Sequence, residues 1–141
     1  MGNLATAVSA VRDFVTAAVA SAWPGSAVEW GIPTTEIAAG GVFAVITCES
    51  AGDGSPVDDD YRARVTVSGV FARPTDAMID ETRWAKLSAL HGALTNSVHP
   101  GTYGFVPMVT SIGSESDYEF GKAFYGATIT FECMITVTRG A

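Results

Sequence analysis

The stretch from Lys122 to Thr138 constrains the fold more than any other part of the chain, because its side chains alternate throughout. One set is apolar or aromatic, and consists of Tyr125, Ala127, Ile129, Phe131, Cys133, Ile135 and Val137. The other is mostly threonine, and consists of Thr128, Thr130, Glu132, Met134, Thr136 and Thr138. Successive residues of a strand point to opposite sides, so this period of two predicts a strand with one buried face. Strands usually have about 5–6 residues, so a strand this long is expected to be central and to pair on both sides.

Two amphipathic helices are predicted from apolar residues that recur at three- and four-residue steps. The first runs from Asn3 to Trp23, with Asn3 as its N-cap, and stops at Pro24-Gly25. The second runs from Thr75 to about Leu94, with Thr75 or Asp76 as its N-cap. The apolar stripe of the second helix consists of Ile79, Trp84, Leu87, Leu90 and Leu94.

Further strands are predicted at Val28–Trp30, Val42–Glu49, Tyr61–Phe71 and Phe105–Ile112. Pro107 in the last of these indicates an edge strand or a bulge. Residues Ala51 to Asp60 are rich in turn formers and aspartate, which predicts a solvated loop at the tip of a hairpin. The order is helix, three strands, helix, two strands. We therefore predict one α+β domain over residues 1–141, with a mainly antiparallel sheet and two helices packed on one face.

Composition bounds the possible partners. The net charge is −7 and only eight residues are Lys or Arg, scattered along the chain, which argues against direct binding of DNA or RNA. Hydrophobic residues make up 48% and charged residues 16%, against about 25% charged in average chains. This excess of apolar surface predicts a subunit interface.

No membrane segment is predicted. Met1 to Thr6 fits a loose myristoylation pattern, but no polybasic stretch supports an anchor. Ala20-Ser21-Ala22 is similar to a signal-peptide cleavage site, yet the segment before it lacks a basic start and is interrupted by Arg12-Asp13. No uninterrupted apolar run reaches about 18 residues. Since none of these targeting signals is well formed, we predict that the protein is made in the cytoplasm.

No chemistry-bearing motif is found. His91 lies near the apolar stripe of the second helix and is predicted to be partly buried, and His99 precedes a Pro-Gly turn. Cys48 and Cys133 lie in predicted strands and are expected to be free thiols, since a disulfide would require neighbouring strands. The histidines and cysteines lack zinc-ligand spacing. No phosphate-binding loop or nucleophile elbow occurs. We predict no catalytic residue, no cofactor and no enzymatic activity.

The aspartates of the predicted hairpin tip, Asp53, Asp58, Asp59 and Asp60, do not match the calcium-loop pattern. They are interpreted as a solvated tip, with a protein-contact loop and a metal site as alternatives. Arg62, Arg64 and Glu132 fall on the strand faces opposite the apolar ones. With helices on one side of the sheet, this second side is expected to face water, to line a channel or to pair across a subunit boundary.

The order of elements and several soft motifs resemble phage tail terminator proteins, the small subunits that cap a tail tube and join it to the head. The matching segments are Trp30-Gly31-Ile32-Pro33, the strands Val42–Thr47, Tyr61–Val67 and Ile129–Val137, and the helix Thr75–Leu94. The resemblance spans nearly the whole chain.

The resemblance implies a non-enzymatic virion protein, made in the host cytoplasm, that forms a hexameric ring. It also implies a tail tube protein and a neck or connector protein as partners. By position, the resemblance implies that Asp58, Asp59, Asp60, Arg62 and Arg64 are contact residues. Glu132 is included as a sixth predicted contact residue because it lies on the polar strand face. An acidic lumen would suit passage of DNA by repulsion, with no sequence-specific contact. The alternatives are another head-tail connector subunit, or a cytoplasmic ligand-binding or enzymatic α+β domain.

Overall fold

A computed structural model describes residues 3–31, 41–51, 58–72, 79–96, 107–113, 119–120 and 124–138. The predicted N-cap of the second helix, His99 and Asp53 lie outside these residues. The elements are α1 (Leu4–Ala22), β1 (Val28–Trp30), β2 (Val42–Ser50), β3 (Asp58–Ala72), α2 (Ile79–Asn96), β4 (Met108–Ile112), β5 (Glu119–Phe120) and β6 (Phe124–Thr138). The predicted α+β class and the order of the helices and main strands are confirmed.

The strands form one sheet in the order β1-β2-β3-β6-β4, and β5 pairs with the first residues of β6. All described pairings are antiparallel except that of β1 with β2. The prediction that the last strand is central is confirmed, since β6 pairs with β3 along its whole length and with β4 on its other side. The predicted edge position and bulge of this strand are found, since β4 ends the strand order and its register shifts between Val109 and Ser111, but β4 begins at Met108 and Pro107 lies just before it.

The core lies between the helices and the apolar face of the sheet. The alternating residues of β6 from Tyr125 to Ile135 are at most 3% exposed, and Ala63, Val65 and Val67 of β3 are fully buried. From α1 the core receives Ala7, Val11, Phe14, Val15, Ala18 and Val19, and from α2 it receives Leu87, Leu90 and Leu94. The alternation predicted for β6 is thus confirmed, and the predicted stripe of α2 is confirmed at Leu87, Leu90 and Leu94. The two helices share one face of the sheet.

The ends of α1 are fixed by local hydrogen bonds. Asn3 Oδ1 accepts from the Thr6 backbone N–H at 2.9 Å, which confirms the predicted N-cap. After the helix, Gly25 adopts a φ of 85°, a conformation that glycine tolerates at a turn. Trp23, which is buried in the core, joins the end of α1 to α2, because its indole Nε1 donates to the Lys86 carbonyl at 2.9 Å.

By length and composition α1 is also able to cross a membrane. The buried side of the helix, which includes Val11 and Val15, lies inside the core. Length and apolar composition do not by themselves separate a membrane span from a core helix.

Three predictions of detail were wrong. β3 begins at Asp58, so the aspartates 58–60 belong to a strand and not to a loop. The short strand β5 was not predicted. Trp84 is 45% exposed although it was placed in the apolar stripe of α2. It faces the margin of the sheet near Gly113, next to the last strand in the order, where no further described strand covers it.

The two cysteines lie on one row of the sheet, on either side of Ala63. β3 therefore separates their strands, and two strand spacings amount to about 9.5 Å. A disulfide requires the Cα atoms to lie within about 7 Å, and the predicted free thiols are confirmed. Burial raises the pKa of the Cys133 thiol to about 12, with a smaller contribution from Cys48.

We expect the two thiols to differ sharply in reactivity, since the thiolate is the nucleophile. Iodoacetamide at pH 8 should alkylate the exposed Cys48 in the native protein and leave Cys133 unmodified until the chain is denatured, as read by mass spectrometry. The folded state holds the Cys133 proton to a higher pH than the unfolded chain does. Stability should therefore fall as pH rises from about 9 toward 12. Modification of Cys133 in native Cys48→Ser protein at the rate seen in urea would contradict this assignment.

Candidate functional site

The second face of the sheet carries no described helix, and we call it the open face. It consists of alternate residues of the three longest strands together with the first residue of β4. These are Phe43, Val45, Thr47 and Glu49 of β2; Asp60, Arg62, Arg64, Thr66 and Ser68 of β3; Thr128, Thr130, Glu132, Met134 and Thr136 of β6; and Met108 of β4. The period of two that buries the opposite set of side chains places these residues together.

Polar side chains of β3 and β6 pair with each other along the open face. Each of these pairs joins residues that are directly opposite in the strand register. The pairs are Ser68 with Thr128 at 3.2 Å, Thr66 with Thr130 at 3.2 Å, Arg64 with Glu132 at 2.9 Å, and Asp60 with Thr136 at 2.8 Å. We call this series the polar ladder. It gives the polar groups of the two strands partners within the protein.

The charged part of the ladder is one carboxylate between two guanidinium groups. Glu132 Oε1 accepts from Arg64 Nε at 3.2 Å and from Arg64 Nη2 at 2.9 Å. Arg62 Nε lies 3.9 Å from Glu132 Oε2, which is beyond hydrogen-bonding distance. The Glu132 side chain is only 15% exposed, whereas those of Arg62 and Arg64 are 49% and 61% exposed. These three side chains carry one net positive charge, and the exposed carboxylate of Glu49 on β2 lies directly opposite Arg62, on the other side of β3 from Glu132.

This cluster contributes little to the stability of the isolated subunit. Ion pairs with exposed members are worth about 0–1 kcal/mol, and both arginines are well exposed. Its main physical effect is on orientation, because two hydrogen bonds to the Glu132 carboxylate fix the position of the Arg64 guanidinium. Arg62 keeps hydrogen-bond donors available for another acceptor.

Two hollows flank the cluster. The polar one has a volume of about 290 Å³ and is lined by Thr47, Cys48, Glu49, Arg62, Arg64 and Glu132. The apolar one has a volume of about 410 Å³ and is lined by Arg62, Pro107, Met108, Glu132, Cys133 and Met134. Met108 is 62% exposed and Met134 is 44% exposed. No local sequence pattern brings these two methionines together, because only the register of β4 against β6 places them at one hollow.

The structure separates the six predicted contact residues into groups. Arg62, Arg64 and Glu132 form one cluster, and Asp60 joins the ladder through Thr136. Asp59 points to the helix side and is half-buried, and Asp58 lies opposite Thr138 in the register. The hairpin-tip interpretation of these aspartates was wrong because β6 continues to Thr138 and pairs with β3 as far as Asp58.

The other candidate for chemistry is the surroundings of His91. His91 is half-buried, as predicted, and lines a hollow of about 210 Å³ with Trp84, Leu87, Ser88 and Ile112. Ligand pockets typically measure about 300–1,000 Å³, and His91 is the one ionisable group among these lining residues. Within the described part of the chain, no three His, Cys, Asp or Glu residues come together as a metal site would require.

The open face is thus a broad surface with internally paired polar groups, two exposed arginines and two exposed methionines. Covering such a surface removes little hydrogen bonding to water, because the hydroxyl groups and Glu132 keep their partners. Comparison of the sequence with protein-family models and with curated proteins finds no match in either set.

Proposed function

We propose that this protein is a structural subunit of a tailed phage, a tail terminator whose ring caps the tail tube and joins it to the neck. The proposal combines the resemblance in element order and motifs with the character of the open face. The protein acts by presenting surfaces to copies of itself, to a tube protein and to a connector protein. No chemical step belongs to this role.

The observation that carries the proposal is the polar ladder on a sheet face that no described helix or strand covers. Cross-strand pairs of hydroxyl groups stabilise a sheet, and they also give these groups partners that remain when the face is covered. Here the ladder runs along β6 toward two exposed methionines, since Met108 lies directly opposite Glu132 and Met134 follows two residues after it. Exposed apolar side chains rimmed by polar groups are typical of protein-contact surfaces.

Assembly of the purified chain tests the proposal. Light scattering with negative-stain imaging, over a range of concentrations and in the presence of tail tubes from the same genome, should show one discrete ring that sits on tube ends. A protein that stays monomeric and binds neither tubes nor their ends would refute a tail role. Binding to the connector but not to the tube would instead favour another head-tail connector subunit.

A matched pair of variants locates the contact. Replacing Asp58, Asp59 and Asp60 together by Ala removes three charges at the start of β3, and we expect it to spare folding and to weaken assembly. Glu81→Ala removes an exposed charge from α2, away from the sheet, and should leave assembly unchanged. Normal tube capping by the triple variant would remove these aspartates from the contact surface.

A further inference from the structure

Within the described residues, the outer edge of β6 is only partly paired. β5 pairs with β6 at Phe124 and Tyr125, and β4 pairs with it from Ile129 to Glu132. From Cys133 to Thr138, β3 is the sole partner of β6 among the strands that the structure describes. The apolar hollow at Pro107, Met108 and Met134 lies at the beginning of this edge. An unpaired strand edge is a ready template for another strand.

The opposite end of the sheet has a second edge, β1. This strand pairs only with β2 within the described residues. Glu29 is exposed and lies opposite Phe43, so its side chain is on the side of the open face. Val28 and Trp30 are partly buried and pack against the core on the helix side. The strand thus combines a carboxylate on one face with apolar side chains on the other.

We propose that β1 of one subunit pairs with the Cys133–Thr138 edge of the next, so that the sheet continues between subunits and Glu29 reaches Arg62. The partner is a second copy of this chain, and the inference rests on the self-assembly in the proposed function. It goes further by naming the two edges and the ion pair that join the copies.

The chemistry of the two edges is complementary. Arg62 lies directly opposite Met134, and its guanidinium is only 3.9 Å from a carboxylate that already serves Arg64. A neighbour's Glu29 placed opposite Met134 would have its Cα about 9.5 Å from that of Arg62, two strand spacings away. A glutamate and an arginine side chain together span this distance. The methylene groups of Glu29 then lie in the apolar hollow, and Val28 and Trp30 fall on the helix side near Ile135.

The directions of the strands are consistent with this continuation. β1 is parallel to β2, β2 is antiparallel to β3, and β3 is antiparallel to β6, so β1 and β6 run the same way. A neighbour's β1 therefore adds as a parallel strand if the sheet simply continues. Because the two edges are different surfaces, the contact is head-to-tail, and such contacts close into rings when the rotation allows it. Closure leaves neither edge exposed.

Cysteine cross-linking tests the contact directly. In a Cys48→Ser background, Glu29→Cys combined with Met134→Cys should give a ladder of covalent dimers and higher oligomers under mild oxidation. Within one subunit β1 and β6 are three strand spacings apart, about 14 Å, which is too far for a disulfide. Every such bond therefore joins two copies. The matched control, Glu81→Cys with Met134→Cys, should remain monomeric on a denaturing gel.

Charge reversal gives a second readout. Arg62→Glu and Glu29→Arg should each weaken self-association at least tenfold in sedimentation experiments, and the double variant should recover most of the loss. Absence of the cross-linked ladder, or failure of the double variant to recover, would overturn the inference. If the wild-type protein still caps tubes in that case, the proposed function stands without this contact. A ladder from a protein that binds no tube would refute the proposed function alone.

Discussion

Phe131→Ala is expected to lower the free energy of unfolding by about 3–5 kcal/mol, the usual loss when a buried aromatic side chain is truncated. Phe131 is fully buried in the middle of β6. Val65 on β3 and Val109 on β4 lie directly opposite it, and Ile46 on β2 continues the same row. Strands on both sides hold this row in place, so the neighbouring side chains can fill only part of the cavity that Phe131→Ala leaves. Small domains have a free energy of unfolding of about 5–15 kcal/mol. The expected effect of Phe131→Ala is therefore a large fraction of the total stability.

Urea unfolding followed by circular dichroism measures the effect. Met134→Ala is the matched control, because it truncates a large apolar side chain on the same strand that is 44% exposed on the open face. Substitutions of exposed residues away from special features usually change stability by less than about 0.5 kcal/mol. If Phe131→Ala and Met134→Ala lowered the free energy of unfolding equally, the helix side of the sheet would not be the main core.

Gly69→Ala is expected to destabilise the protein by about 1–3 kcal/mol, the usual range for overpacking of a core. A Cβ atom at this position would lie 2.8 Å from two ring atoms of Phe71 and 2.9 Å from Trp23 Cζ3. The rings meet edge to face with centroids 5.0 Å apart. The Trp23 ring is 1% exposed and is held by its hydrogen bond to the Lys86 carbonyl, so it has little room to move. The effect is steric, since the φ of Gly69 is not in the left-handed region.

A double-mutant cycle with Phe71→Leu separates overpacking from a general weakness of the strand. Loss of the Phe71 ring should remove much of the penalty of Gly69→Ala, so the two changes should be strongly non-additive in thermal or urea unfolding. Trp23 fluorescence should also shift in Gly69→Ala if the indole is displaced. Unchanged or increased stability of the single variant would contradict the close approach of these rings.

The two faces of the sheet thus have separate physical roles. The helix side supplies the buried apolar area that folds the subunit, including Ile129, Phe131 and Ile135 on β6. The open face uses the intervening positions of the same strand for paired hydroxyls, Glu132 and Met134. Variants on one face are therefore expected to change stability, and variants on the other to change assembly.

Much of the fold could be predicted because the patterns are local. The alternation in β6 and the three- and four-residue steps in α1 report which side of each element is buried, and neighbouring residues are enough to define them. The prediction failed where burial depends on a distant element. Trp84 has the spacing of a core residue, but it is exposed because it faces the margin of the sheet. The aspartates 58–60 have the composition of a loop, but Thr136 and Thr138 on β6 keep them in a strand.

The sequence by itself determined that β3 and β6 each have one apolar and one polar face, since a strand period of two leaves no other arrangement. Only the tertiary structure decided that Arg64 and Glu132 are cross-strand partners, that Met108 and Met134 share a hollow, and that β4 pairs with β6 from Ile129 to Glu132. These features depend on strand order and register between segments far apart in the chain. Register is set when the whole sheet packs, because a shift by one residue would turn the buried set of side chains outward.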